Sequence, residues 1–135
     1  MYRMEIPSRR LSRTSIRISF PDLGSKPEAR GELMRIYAPL TVETILKRLP
    51  IDGRAHRIDG GISIIIGIGR GEEKPVRRVE EGTMAYWPMG DSLCIYLRST
   101  VTPNPVNRIG RIIEGLELIR GIPSGARVKL EKATP

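Results

Sequence analysis

A chain of 135 residues has the length of one ordinary domain, long enough to bury roughly two-thirds of its unfolded surface around a single core. Hydrophobic residues make up 39% and aromatics only 4%, so the core is aliphatic, and 18 isoleucines against 11 leucines favour strands, while 14 glycines and 11 prolines exclude long helices and coiled coils. The formal net charge is +8, and half of it lies in the first 20 residues, where Arg3, Arg9, Arg10, Arg13 and Arg17 stand against Glu5 alone.

The longest uncharged apolar run, Ile62 to Ile68, is too short to span a bilayer, and the basic N-terminus lacks the apolar stretch of a signal peptide. No membrane partner is expected. A single cysteine, Cys94, permits no internal disulfide, and a single histidine, His56, leaves no cluster for a zinc site, so a cytoplasmic location without metal or cofactor is expected. The absence of glutamine and the sparing use of asparagine suit a thermophilic source.

In chain order, residues 1–13 read as a basic, flexible arm and residues 14–135 as the folded domain. Thr14 to Phe20 alternates, with Ile16, Ile18 and Phe20 on one face, as in a half-buried strand. A Pro and Gly turn over 21–27 leads into an extended segment from Arg30 to Tyr37, so the two pair as a hairpin. Val42, Ile45, Leu46 and Leu49 then fall at helical spacing, with Thr41 as cap and Pro50 as stop. Strands follow at Arg54 to Ile58 and at Ile62 to Ile68 with four isoleucines on one face, then a short extended piece at Val76 to Val79, and further strands at Thr83 to Trp87 and at Leu93 to Leu97. Val106 to Ile113 and Ala126 to Lys132 complete about eight strands, with a helical turn over Gly115 to Arg120 between them. So many short strands in one domain predict a mainly β fold closed into a barrel.

Gly67-Ile68-Gly69-Arg70-Gly71 looks like a phosphate-cradling loop, but no helix follows and Glu72-Glu73 would repel phosphate, so it reads as a strand end. The pairs Glu72-Glu73 and Glu80-Glu81 read as solvated charge, and Cys94, within a strand of Leu, Ile and Tyr, as core. Around Pro88-Met89-Gly90 the only tryptophan, Trp87, meets Tyr86 and Met89, either closing a barrel mouth or lining a pocket. Asn104 and Asn107 flank a proline-rigid turn, where each amide can bond the local backbone or face a ligand.

The run Glu80 to Tyr96, containing Tyr86-Trp87-Pro88-Met89-Gly90-Asp91, and the run Pro105-Val106-Asn107-Arg108-Ile109-Gly110-Arg111-Ile112-Ile113-Glu114-Gly115-Leu116 resemble the cyclophilin-like family of small bacterial and archaeal proteins. The resemblance is specific over residues 79–132 and looser from Thr14 to Ile68, and it implies a closed eight-stranded barrel with two short helices. It implies no activity, since the family takes its name from its fold. Against true cyclophilins, the chain has no glutamine for the active site, the position of their histidine falls at Val106, and the only phenylalanine, Phe20, lies on an early strand. His56-Arg57-Ile58 is nevertheless similar to the segment around the cyclophilin arginine.

The function expected from the sequence is binding of a small molecule or peptide segment at a barrel mouth formed by Arg57, Tyr86, Trp87, Met89, Asn104 and Asn107. Two alternatives stand beside it, weak prolyl isomerisation centred on Arg57 and nucleic-acid association through the arm. Deletion of Met1 to Arg13 removes four arginines and Glu5, a net three positive charges. We expect the truncated chain to stay folded and any retention of DNA or RNA on filters to weaken, with a flatter salt dependence. Loss of folding would assign the arm to the barrel.

Overall fold

A computed structural model describes residues 12–24 and 27–133. Nine strands are found: β1 Arg13–Ser19, β2 Glu28–Met34, β3 Ile51–Ile58, β4 Gly61–Ile65, β5 Val76–Val79, β6 Thr83–Trp87, β7 Ser92–Tyr96, β8 Thr100–Glu114 and β9 Arg127–Lys132. Helix α1 covers Pro39–Arg48, helix α2 covers Leu116–Arg120, and a 3-10 turn spans Pro21–Leu23. All pairings are antiparallel. They run β2-β1-β9-β3-β4-β7-β6-β8, and β8 returns to β2, so eight strands close into a barrel while β5 attaches to β8 outside the ring.

Alternation sets what the barrel encloses. Ile16 and Ile18 on β1, Leu33 on β2, Ile62 and Ile64 on β4, Met84 and Tyr86 on β6, Leu93 and Ile95 on β7, Ile109 on β8 and Leu130 on β9 all point inward and are fully or almost fully buried. The four isoleucines expected on one face, Ile62, Ile64, Ile66 and Ile68, are all buried, although the strand ends at Ile65 and the chain continues inward without ladder pairing.

The two helices plug opposite ends. Val42, Ile45 and Leu46 of α1 enter the core near the end of β2, while Ile119 of α2 enters near its start, where Gly115 packs on Ala29. The spacing of α1 is as expected from the sequence, but its start differs. The helix begins at Pro39, whose fixed φ suits a first turn, and Ala38 at the N-cap offers no side-chain bond. Thr41 therefore lies inside the first turn rather than before it.

Arg3, Arg9 and Arg10 lie outside the described residues. Arg13 instead opens β1, paired with Met34 and 3.9 Å from Glu32, and Arg17 lies 3.8 Å from Glu28 and 3.5 Å from Glu131. Two of the five N-terminal arginines thus complement acidic neighbours on the barrel wall, and a truncation that spares the ladder ends before Ser12.

Closure depends on the seam between β2 and β8, where Leu33 faces Gly110. A side chain at Gly110 would run into the Glu32 carbonyl and the Leu33 backbone, neither of which can move without opening the ladder. Gly110→Ala is expected to cost at least about 4 kcal/mol or to prevent folding, read by denaturant or thermal unfolding. A variant within 1 kcal/mol of the parent would show that the seam yields.

Candidate functional site

On β6 and β7 the outward residues should meet water, yet Ala85, Cys94 and Tyr96 are buried. The cover comes from β8, which has 15 residues where a barrel staple needs fewer. Its second half closes the barrel against β2 and β6, while its first half pairs with β5, facing Val106 with Val76 and Thr100 with Val79. Val79, Ala85, Cys94, Tyr96 and Val106 form a second, smaller apolar cluster under this flap, with Ile58, Val76 and Trp87 packed against it.

That layer is incompletely filled. A cavity of about 90 Å3 remains between flap and barrel wall, floored by Ile58, Cys94, Tyr96 and Val106 and walled by Trp87. On the same measure a single water needs about 10–15 Å3, so the space is far larger than one water requires. Asp59, Thr102, Pro103 and Asn104 form its rim. The rim is rigid: Arg77 donates through Nε to the Thr102 carbonyl at 3.0 Å and through Nη2 to that of Pro103 at 3.2 Å, and Thr102 Oγ1 lies 2.6 Å from the Asn104 carbonyl.

Two polar groups here lack partners among the described residues. The Trp87 Nε1 hydrogen is buried with no acceptor, and no hydrogen bond is made by the side-chain amide of Asn104. Burial pushes the Cys94 thiol up to about 12, which keeps it protonated at neutral pH, and the Tyr96 phenol is raised for the same reason.

The residues expected at one mouth are dispersed. Trp87 and Asn104 meet at the outer cleft. Tyr86, next to Trp87 on the strand, points inward and is fully buried, its hydroxyl donating to Asp91 Oδ1 at 2.6 Å, so burial, and then the Asp91 carboxylate, push the phenol up to about 12. Met89 sits in the β6–β7 turn, 77% exposed. Arg57 lies at the α2 end, its Nη2 donating to the Arg120 carbonyl at 2.9 Å and to that of Ile122 at 3.0 Å.

Asn107 is fully buried at the α1 end, within a network the sequence did not announce. Its Oδ1 accepts from the Glu73 backbone at 2.8 Å, and its Nδ2 donates to the Gly71 carbonyl at 2.9 Å. The Glu73 carboxylate in turn accepts from Leu40 N at 2.9 Å, from Thr41 N at 2.8 Å and from Thr41 Oγ1 at 2.7 Å. Glu73 is therefore the cap of α1, supplied from a loop 32 residues away in sequence. This corrects the reading of Glu72-Glu73 as solvated charge. Asp91 performs a parallel service, accepting from Ile68 N at 2.9 Å and Gly69 N at 3.0 Å, so the loop between β4 and β5 is pinned at both ends.

The profile of the cyclophilin-like family matches residues 14–131, and the chain belongs to that family. The solution structure of a hypothetical protein from Archaeoglobus fulgidus is 32% identical, with a TM-score of 0.72, over 90% of this chain and 96% of that one. A structure of McbB in complex with tryptophan reaches the same TM-score at 12% identity, over 89% of this chain and 45% of that one, a likeness of fold alone. A comparison with proteins of curated function gave no match. No helix among the described residues is long and apolar enough to cross a membrane.

Burial alone would raise the Glu73 carboxyl, but the three bonds it accepts outweigh burial and hold it below its ordinary value of 4.5. A carboxyl lowered on folding stabilises the fold fully above its unfolded value and loses that contribution as pH falls through its folded value. Glu73→Gln is accordingly expected to be less stable than the parent at pH 7. The gap should narrow below about pH 4.5, near the unfolded pKa of a glutamate. Thermal melts of both proteins from pH 7 to pH 3 check this, and a gap that does not change with pH overturns the assignment.

Proposed function

We propose that the protein binds a small apolar molecule, or an apolar side chain of a peptide segment, in the cleft beneath the β5–β8 flap. The observation that carries this reading is the conjunction of an apolar cavity with two unpartnered hydrogen-bonding groups, the Trp87 indole nitrogen and the Asn104 amide. Pockets that take small ligands commonly combine such an apolar lining with a few placed polar groups. McbB, which shares this fold over 45% of its own chain, has been solved in complex with tryptophan.

The cleft replaces the barrel mouth as the proposed site because both barrel ends are closed by α1 and α2. An isomerase centred on Arg57 draws no support from the geometry, since that guanidinium is held through Nη2 by the Arg120 and Ile122 carbonyls and does not line the apolar cleft. Association with nucleic acid stays tied to the arm before Ser12, for which truncation is the test.

Because Trp87 is the only tryptophan, it supplies a single indole N–H resonance and all the indole fluorescence. Titration with 4-methylpentanamide, whose branched tail and amide match the cleft and its polar groups, is expected to shift that resonance saturably. Asn104→Ala should weaken binding roughly three- to tenfold, as for one hydrogen bond. The thermal midpoint should stay near that of the parent, since no internal bond is lost. If neither this amide nor a proline-containing tetrapeptide moves the resonance, the cleft is packing alone.

A further inference from the structure

On the other side of Ile58, which lines both, the cleft adjoins an open groove of about 310 Å3 whose walls carry Arg57, Arg98 and Arg120. The β3–β4 turn makes room for it. Gly60 has φ +86°, and a side chain there would meet the Arg98 guanidinium, which lies across the turn.

The three guanidinium groups are unequally neutralised. Arg120 is paired with Glu81 and, at 2.8 Å, with Glu117, and its Nη1 donates to the Leu97 carbonyl. Arg98 donates to Asp59 at 2.8 Å, but that carboxylate is 84% exposed, so the pair is weak and easily exchanged. Arg57 has no carboxylate partner among the described residues, and its Nε and Nη1 make no bond there. The acidic partners Asp59, Glu81 and Glu117 stand outside the groove lining, which presents one unpaired guanidinium and one loosely held one. That is the complement of a monoanion placed beside an apolar group.

We propose that this groove is the carboxylate subsite of the cleft, so that the ligand is a small apolar acid whose branched or ring-bearing end lies on the Tyr96 and Val106 floor of the cleft and whose carboxylate reaches Arg98 and Arg57. This rests on the cleft reading above, and the two fail separately. Asp59 lies on the rim between them and holds Arg98 until the acid displaces it.

The test compares 4-methylpentanoate with its neutral isostere 4-methylpentanamide, following the indole N–H resonance at pH 7, with acetate and inorganic phosphate as anions that lack the apolar tail. The acid is expected to bind about tenfold more tightly than the amide, and acetate and phosphate far more weakly than either. Arg57→Gln should bring the acid down to the affinity of the amide. Asp59→Asn, which releases Arg98 without removing any cation, should tighten the acid severalfold, so the inference stays testable even if the arginine variant folds poorly. Binding of neither organic probe overturns the cleft itself. Equal binding of acid and amide to the parent, an Asp59→Asn protein no tighter for the acid, or phosphate bound as tightly as 4-methylpentanoate overturns the carboxylate subsite and leaves the cleft standing.

Discussion

The β2–β8 pairing is the constraint on which the rest depends. Without it β2 and β8 would be free edges and the inward isoleucines would line an open sheet. The close approach at Gly110 joins the two strands, and the length of β8 converts that closure into something further. A strand of 15 residues cannot follow the barrel wall throughout, so its first half departs, takes β5 with it and roofs the outer faces of β6 and β7. The cleft is the space this roof leaves, which makes it a product of the fold's closure rather than of its ends.

The ends are closed by different physics. At the α2 end the seal combines aliphatic packing of Ile119 with carbonyl oxygens gathered by Arg57. At the α1 end it is polar and almost fully satisfied: Asn107, Glu73, Asp91 and Tyr86 tie the loop after β4 to the helix and to the barrel wall. Buried amides and carboxylates are tolerated because nearly every lone pair and hydrogen finds a partner. The unsatisfied Trp87 nitrogen on the outer flank stands out against that completeness.

Periodicity made much of the fold legible. Alternation at Ile16, Ile18 and Phe20 and at Ile62 to Ile68 marks inward faces, and Val42, Ile45 and Leu46 mark a plug helix, all properties of local sequence. The boundaries drift where tertiary pairing overrides local composition, as in β8, which runs through Pro103 and Pro105 and begins at Thr100 rather than Val106. The site was less legible, and part of the missing signal was available. Tyr86 and Trp87 are consecutive on a strand and so face opposite sides, which already forbids both from lining one mouth. Glu73 as the cap of α1 could not be read, since nothing local links it to Thr41 across the chain.

Among the described residues, closing eight strands into a ring leaves the short β5, at the rim of the flap, paired on one side only. Exposed backbone of that kind is the natural template for pairing with another chain, and hence for aggregation. Here it is only four residues long, preceded by Pro75 and carrying Arg77 and Arg78, both exposed. Charge, brevity and a missing amide hydrogen are the usual means by which β proteins keep such an edge from recruiting neighbours. The open side of the flap is thus guarded by charge and brevity rather than by a further strand.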